Sequence, residues 1–285
     1  MISDYRCFFC FARAFEKLLE EEKLTVAEKN SFTRGMAMLY SKLQEDFSAP
    51  AFSRELHQVL KLYSKNTDPY LEIKKQSNDR VLALYPTLKK LVLESANPFD
   101  TALRLAIAWN IIDFGVSNQY DLDATIDKVL KSDFSINHSY ELKEALSNAK
   151  TVLYLGDNSG EIVLDKLFIE TIMHPNLHFA VRGAPVINDV TIDDARYVGI
   201  YKVADVISNG YDAPSTIIDK CSEEFQKHFN DADVIISKGQ GNLEGLLHKT
   251  HKTVFFLLMV KCDVIAEALG VKKGDFVVMK NIQKW

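Results

Sequence analysis

The sequence predicts an α/β protein in two parts: a helical half over residues 1–149 and an α/β half with a mostly parallel sheet over residues 150–285. Three observations predict it. From Asp4 to about Asn148 apolar residues recur three and four apart, with no strand signal between them. After Ala149-Lys150 short apolar runs rich in β-formers alternate with helical patterns, which is the grammar of a parallel, helix-covered sheet. In that half the charged and glycine residues fall at or just after the predicted strand ends, and so gather along one sheet edge. Composition allows this reading, because 285 residues that are 47% hydrophobic and 26% charged can build a sizeable core in one large or two smaller domains.

The periodicity predicts helices over residues 4–22, 26–46, 52–63, 70–93, 98–112, 123–131 and 139–147. Asn97-Pro98-Phe99-Asp100 is a helix start, with Asn as N-cap, Pro in the first helical position and an acid in the first turn. The helix it opens is apolar nearly all round, so it belongs at the centre of a bundle. Asn110 and Asp113 near its end are polar in an apolar setting, and buried polar groups need partners; they are capping residues or site residues. The turn Asp68-Pro69-Tyr70 opens a helix carrying Lys74, Asn78 and Arg80, which reads as a solvated face. In the second half strands over 151–155, 177–182, 204–207, 233–237 and 253–260 are expected, with helices over 160–173 and 262–269 and a last strand at Asp275–Met279. Thr191 is a candidate helix cap in a segment that carries Asp189, Asp193 and Asp194.

Several function classes are disfavoured. A formal charge of -5 and a pI near 5.8 argue against a general nucleic-acid binder, which needs clustered Lys and Arg. The longest apolar run, Val254 to Val260, is far too short to span a bilayer. Met1 to Arg6 does not resemble a signal peptide, so a soluble cytoplasmic protein is expected. Four cysteines, Cys7, Cys10, Cys221 and Cys262, are too few for a disulfide scaffold. Cys7 and Cys10 form a C-x-x-C pair, but a structural zinc site needs four ligands and no second close pair exists; buried helix cysteines are the simpler expectation. The seven histidines show no ligand spacing.

The chemistry centres on Thr151 to Glu161, T-V-L-Y-L-G-D-N-S-G-E, which reads strand, tight turn, helix. Asp157 and Asn158 stand at the carboxyl edge of the sheet, where an adjacent carboxylate and amide carbonyl suit a hard divalent cation. Asp, Asn, Ser and Gly are also the commonest turn formers, and on those residues alone a turn is the simpler reading. Arg182-Gly183, Lys238-Gly239 and Lys261 end other strands of the same edge. Two acidic or amide oxygens with a further carboxylate such as Asp189 hold a metal with open positions, while Arg182, Lys238 and Lys261 meet an anion beside it. Gly239-Gln240-Gly241-Asn242 brings backbone N–H groups close to a ligand. A metal beside a cationic, glycine-lined pocket is what phosphate-ester chemistry requires.

At these residues the sequence resembles the damage-control phosphatases, a family first catalogued as a domain of unknown function and called ARMT-like, in its prokaryotic type with an N-terminal C-x-x-C pair. The resemblance runs through Cys7-Phe8-Phe9-Cys10, Asp68-Pro69-Tyr70 with Lys74 and Asn78, Asn110 with Ile112-Asp113-Phe114-Gly115, and Gly156 to Glu161. It continues through Arg182-Gly183, Asn188-Asp189-Val190-Thr191 and Ser237 to Asn242, and ends at Lys261-Cys262. The resemblance implies that Asp157, Asn158 and Asp189 hold a divalent metal (Mg2+, Mn2+, Co2+ or Ni2+). It implies that Glu161 and Lys261, with the Lys238-Gly239 turn and Ser159 beside them, contact a small phosphorylated metabolite such as a sugar phosphate or a damaged cofactor intermediate. It implies a helical domain on a Rossmann-like α/β domain, with the site in the cleft between them. Eukaryotic members carry Asp-Leu-Asn-Tyr-Arg where this chain has Gly239-Gln240-Gly241-Asn242, so their substrate preference does not carry over.

Two competing readings predict different behaviour. A strand ending in Leu155-Gly156-Asp157 also suits an S-adenosylmethionine-dependent methyltransferase, although the glycine spacing does not fit G-x-G-x-x-G and three cationic strand ends suit phosphate better. A non-catalytic phosphate-ligand-binding protein would bind its ligand without turnover in any metal. The sequence leaves open whether a carboxylate first takes the phosphoryl group or water attacks directly.

Overall fold

The structure is a computed structural model that describes residues 4–43, 47–115 and 126–281, and of residues 108–115 the backbone alone. Helices α1 (Tyr5–Glu21), α2 (Val26–Ser41), α3 (Ala49–Ser64), α4 (Leu71–Glu94) and α5 (Pro98–Gly115) come first, followed by helical residues 126–131 (α6). Their starts follow from local chemistry. Thr25 and Glu28 form a capping box on α2, and Asn97 Oδ1 accepts from the Asp100 N–H at 3.3 Å, as its sequence position predicts. Helices α1, α2 and α3 share a core of their own around Phe15, Phe32, Phe52, Leu56 and Leu60. Helices α4 and α5 instead give Val81, Leu88, Val92 and Leu103 to the larger core beneath the sheet, packed on α8.

The second half runs α7 (Ser139–Asn148), β2 (Val152–Leu155), α8 (Glu161–Ile172), β3 (Leu177–Val181), α9 (Ile192–Val198), β4 (Asp205–Ser208), α10 (Glu223–Asp231), β5 (Val234–Lys238), α11 (Gly239–Leu246), β6 (Val254–Met259), α12 (Asp263–Leu269) and β7 (Phe276–Lys280). With β1 (Phe134–Asn137) the strands form one seven-stranded sheet in the order β1-β7-β6-β5-β2-β3-β4. Strands β2 to β6 are mutually parallel, and β7 turns antiparallel to β6 with β1 parallel to β7. The chain leaves β2 toward β4 and then returns to lay β5 on β2's other flank, so the order reverses between β2 and β5. In open α/β sheets that switch point opens a crevice beyond the strand ends, where ligands bind.

Two expectations are corrected here. A strand does precede residue 149: Phe-Ser-Ile-Asn at 134–137 is too short to show a period, with Phe134 its one buried side chain, and its pairing partner β7 lies some 140 residues on. The expectation of buried helix cysteines also fails for the C-x-x-C pair, since Cys10 is exposed and Cys7 half-exposed. Helix α1 buries Phe15 and Leu19 toward its far end, while its first turn faces α12, with Arg6 paired to Glu267 at 2.6 Å. Only Cys221 is buried, and burial pushes its thiol up to about 12. Among the described residues no helix is long and apolar enough to cross a membrane.

Candidate functional site

Strand β2 is buried along its whole length and ends at Gly156, where a Cβ would meet the Phe179 ring at 2.7 Å and Val190 Cγ2 at 3.0 Å. Beyond it the backbone is zipped to the loop that follows β3. Val190 N–H donates to Asp157 O and Ser159 N–H to Asn188 O, each at 2.9 Å, and Asn158 and Asp189 pair as an antiparallel bridge. Arg182 N–H donates to Val190 O at 2.9 Å, which ties the same loop to the end of β3. Hydrogen bonds between two loops thus bring Asp157, Asn158 and Asp189 together, from positions 32 residues apart at the extremes.

The three side chains are buried, Asp157 6% and Asp189 3% exposed. Asn158 Nδ2 donates to Asp157 Oδ2 at 2.6 Å and approaches Glu161 Oε2 at 3.4 Å. Arg182 bridges the acids: Nε donates to Asp189 Oδ2 at 2.6 Å, and its second terminal nitrogen stands 3.8 Å from Asp157 Oδ1 with no hydrogen-bond partner. Burial, then Asp189, then Glu161 push the Asp157 carboxyl up to about 8, against Lys261 and Arg182. Burial also raises Asp189, with Arg182 opposing. Two buried carboxylates that repel one another, with an amide oxygen beside them, are a donor set that a hard divalent cation would relieve. Among the described residues no three His, Cys, Asp or Glu side chains make a metal site; the set here is two carboxylates and one amide.

Strand register carries Leu155 opposite Ser237, hence Asp157 opposite Gly239. Gly239-Gln240-Gly241-Asn242 is the first turn of α11 rather than a loop, opening directly from Lys238. The start of that helix faces the Asp157 carboxylate, where its N–H groups and dipole favour an anion. Asn242 locks the arrangement by donating to Lys238 O at 2.8 Å and Gly156 O at 3.2 Å, and it accepts from Thr216, which also accepts from Arg182 at 3.3 Å.

The expected site residues divide. Lys261 follows β6 at the same edge, is exposed, and its charge acts on both Asp157 and Asp189. Lys238 ends β5 at that edge, but its side chain turns beneath it: it is 0% exposed and its Nζ donates to Glu161, Asp165 and Ala106 O. Glu161 gives one oxygen to that ammonium and turns the other toward Asn158. Ser159 is buried, with its hydroxyl donating to Asp194 at 3.3 Å. Asn110 and Asp113 lie outside the described side chains.

Lys74 and Asn78 are not a solvated face. They are 2% and 1% exposed, and the partners that bury them lie far along the chain: Lys74 pairs with Asp194 at 2.7 Å, and Asn78 Oδ1 accepts from the Gly160 N–H at 2.7 Å. The helical half thereby grips the turn that carries Asp157. Asn78→Ala leaves that N–H and Asp194 short of a partner, and chemical denaturation is expected to show a loss of about 1–3 kcal/mol. Sequence reading missed Asp165 and Thr216, and gave the side chains of Asp194 and Asn242 no role. Asp165 had a signal, standing four residues after Glu161 with only Ile162, Val163 and Leu164 between them. A separate cavity of about 490 Å3, lined by Cys7, Asp219, Glu244 and Cys262 among others, does not include the carboxylate pair.

The fold and this cluster define an α/β protein with an oxygen-rich, cation-flanked cluster at the switch point of a mostly parallel sheet. The family model of the damage-control phosphatase ARMT1-like domain matches residues 3–277, and the chain belongs to that family. A damage-control phosphatase of Pyrococcus horikoshii is 35% identical over 97% of both chains. Another of that name from Archaeoglobus fulgidus is 37% identical over 74% of this chain and 75% of its own. The crystal structure of a domain-of-unknown-function-89 family protein from P. horikoshii superposes with a TM-score of 0.91 at 32% identity, covering 99% of this chain and 100% of that one.

Proposed function

We propose that this protein is a divalent-metal-dependent phosphatase acting on small phosphorylated metabolites. The observation that carries the reading is the zipped pair of loops that sets Asp157, Asn158 and Asp189 around the Arg182 guanidinium. The names of the homologous phosphatases support it from outside the chain. The oxygens of Asp157, Asn158 and Asp189 would hold an Mg2+, Mn2+, Co2+ or Ni2+ ion, which when bound would supply Lewis-acid polarisation of a phosphoryl oxygen. The chain's own groups do the rest. Lys261 neutralises the outer phosphate oxygens, the unpartnered Arg182 nitrogen offers a fixed donor, and the N-terminus of α11 adds its N–H groups. No cationic group for phosphate is needed from Lys238.

The test is phosphate release from a panel of sugar phosphates and other phosphomonoesters, with each of the four metals and with chelator. Release that needs a divalent cation and disappears in Asp157→Ala is expected. Release that is undiminished by chelator, or binding of phosphate esters with no turnover in any metal, sinks the reading.

A further inference from the structure

We propose that Lys238 is a positioning residue that acts through Glu161 to fix the amide of Asn158, and that it makes no contact with the phosphate; this rests on the metal-dependent reading of the cluster above. An amide has a donor end and an acceptor end, and only the oxygen can hold a cation. Asn158 has its nitrogen between two carboxylates, 2.6 Å from Asp157 Oδ2 and 3.4 Å from Glu161 Oε2. That arrangement turns Oδ1 the other way and makes a flipped amide costly, since its oxygen would then face two carboxyl oxygens in place of a donor. The orientation therefore depends on Glu161 Oε2 being held in place beside the amide nitrogen.

Glu161 is in turn held from behind. Its Oε1 accepts from Lys238 Nζ at 2.6 Å. The ammonium's other two donors go to Asp165 Oδ1 at 2.5 Å and Ala106 O at 2.9 Å, so all three are engaged. Asp165 is fixed by the Tyr154 hydroxyl at 2.7 Å, and Ala106 belongs to α5. Side-chain parity agrees: Val234 and Ile236 of β5 face the core shared with α5 and α8, and Lys238, two residues further, continues that face. With Lys238 fully buried and its three donors engaged, none is left for a substrate at the strand ends. The chain of contacts thus runs from the core to Lys238, to Glu161, to the amide, which is the role outer partners play for metal ligands generally.

The experiment is calorimetric titration of the full-length protein with Mn2+ in the absence of substrate, together with kinetics on one phosphate ester that the parent hydrolyses. Lys238→Met and Glu161→Gln are expected to raise the Kd for Mn2+ about 10- to 100-fold. At saturating Mn2+ their KM should stay within about twofold of the parent, because no ground-state contact to substrate is lost. Lys238→Arg, which keeps the charge, should recover part of the affinity. Unchanged Mn2+ affinity in Glu161→Gln, or a KM raised tenfold or more at saturating Mn2+, overturns the proposal. Should Lys238→Met not fold, Glu161→Gln, nearly identical in shape, decides the matter by the same two measurements. A parent that binds no Mn2+ sinks the metal-dependent reading itself, whereas a parent that binds and variants that match it sink only the role of Lys238.

Discussion

At pH 8 and without divalent cation, Asp157→Asn is expected to melt several degrees above the parent while hydrolysing no phosphate ester above background. Burial, Asp189 and Glu161 raise the Asp157 carboxyl from an ordinary 3.8 to about 8, so the folded chain holds a proton there that the unfolded chain releases near pH 4. Wherever the folded state binds more protons, stability falls as pH rises. The contribution is complete below about pH 4, declines between about 4 and 8, and is gone above that. A shift of this size corresponds to at most about 6 kcal/mol, shared with Asp189 because two facing carboxylates titrate as a pair. Asparagine keeps the shape and an acceptor for Asn158 Nδ2 but carries no charge, so the variant escapes the loss. Melting curves from pH 5 to 9 should show the two proteins converging at the acid end. Added Mn2+ should raise the parent's midpoint far more than the variant's, because a ligand that binds only the folded form stabilises it. A variant that melts below the parent at pH 8, or equal stabilisation of both by Mn2+, removes Asp157 from the cation site.

The same carboxylates show what could and could not be read from the chain. The strand ends were legible because Val152–Leu155, Val234–Lys238 and Val254–Met259 are short, apolar and followed by glycine or charge, and a parallel sheet sends all such ends to one edge. That Asp157 and Asp189 meet needed the loop bridge, which no local pattern encodes. Lys74 and Asn78 sit on α4 with polar residues around them, and only partners 120 and 82 residues away bury them. Lys238 was placed correctly at a strand end but pointed wrongly, because its position along the strand fixes the edge and only its parity with Ile236 fixes the face. Strand β1 escaped because its single buried residue finds its partner at Phe276. In each case the missing term is long-range, and period-based reading contains only local ones.

Gly239→Ala is expected to abolish most phosphate release. Gly239 joins β5 to α11 with no residue between them, at φ +77, where an L side chain costs roughly 1–2 kcal/mol. Its Cβ would also fall inside the Asp157 carboxylate. That carboxylate cannot step aside cheaply, since Asn158 Nδ2 holds one oxygen and Arg182 stands 3.8 Å from the other. Either Asp157 leaves the cluster or the start of α11 lifts away from the strand ends, and both separate the donors that the cation needs. Turnover is expected to fall beyond about a hundredfold, the upper end seen for groups that merely support metal ligands. Gly270→Ala separates the two costs. Gly270 caps α12 at φ +68 with nothing within 4 Å of a Cβ, so it carries the same backbone strain without the collision. Both variants should lose a similar backbone increment in chemical denaturation, with Gly239→Ala losing more, while Gly270→Ala keeps full phosphate release. Equal activity in the two would mean that close approach of backbone to Asp157 is not what Gly239 provides.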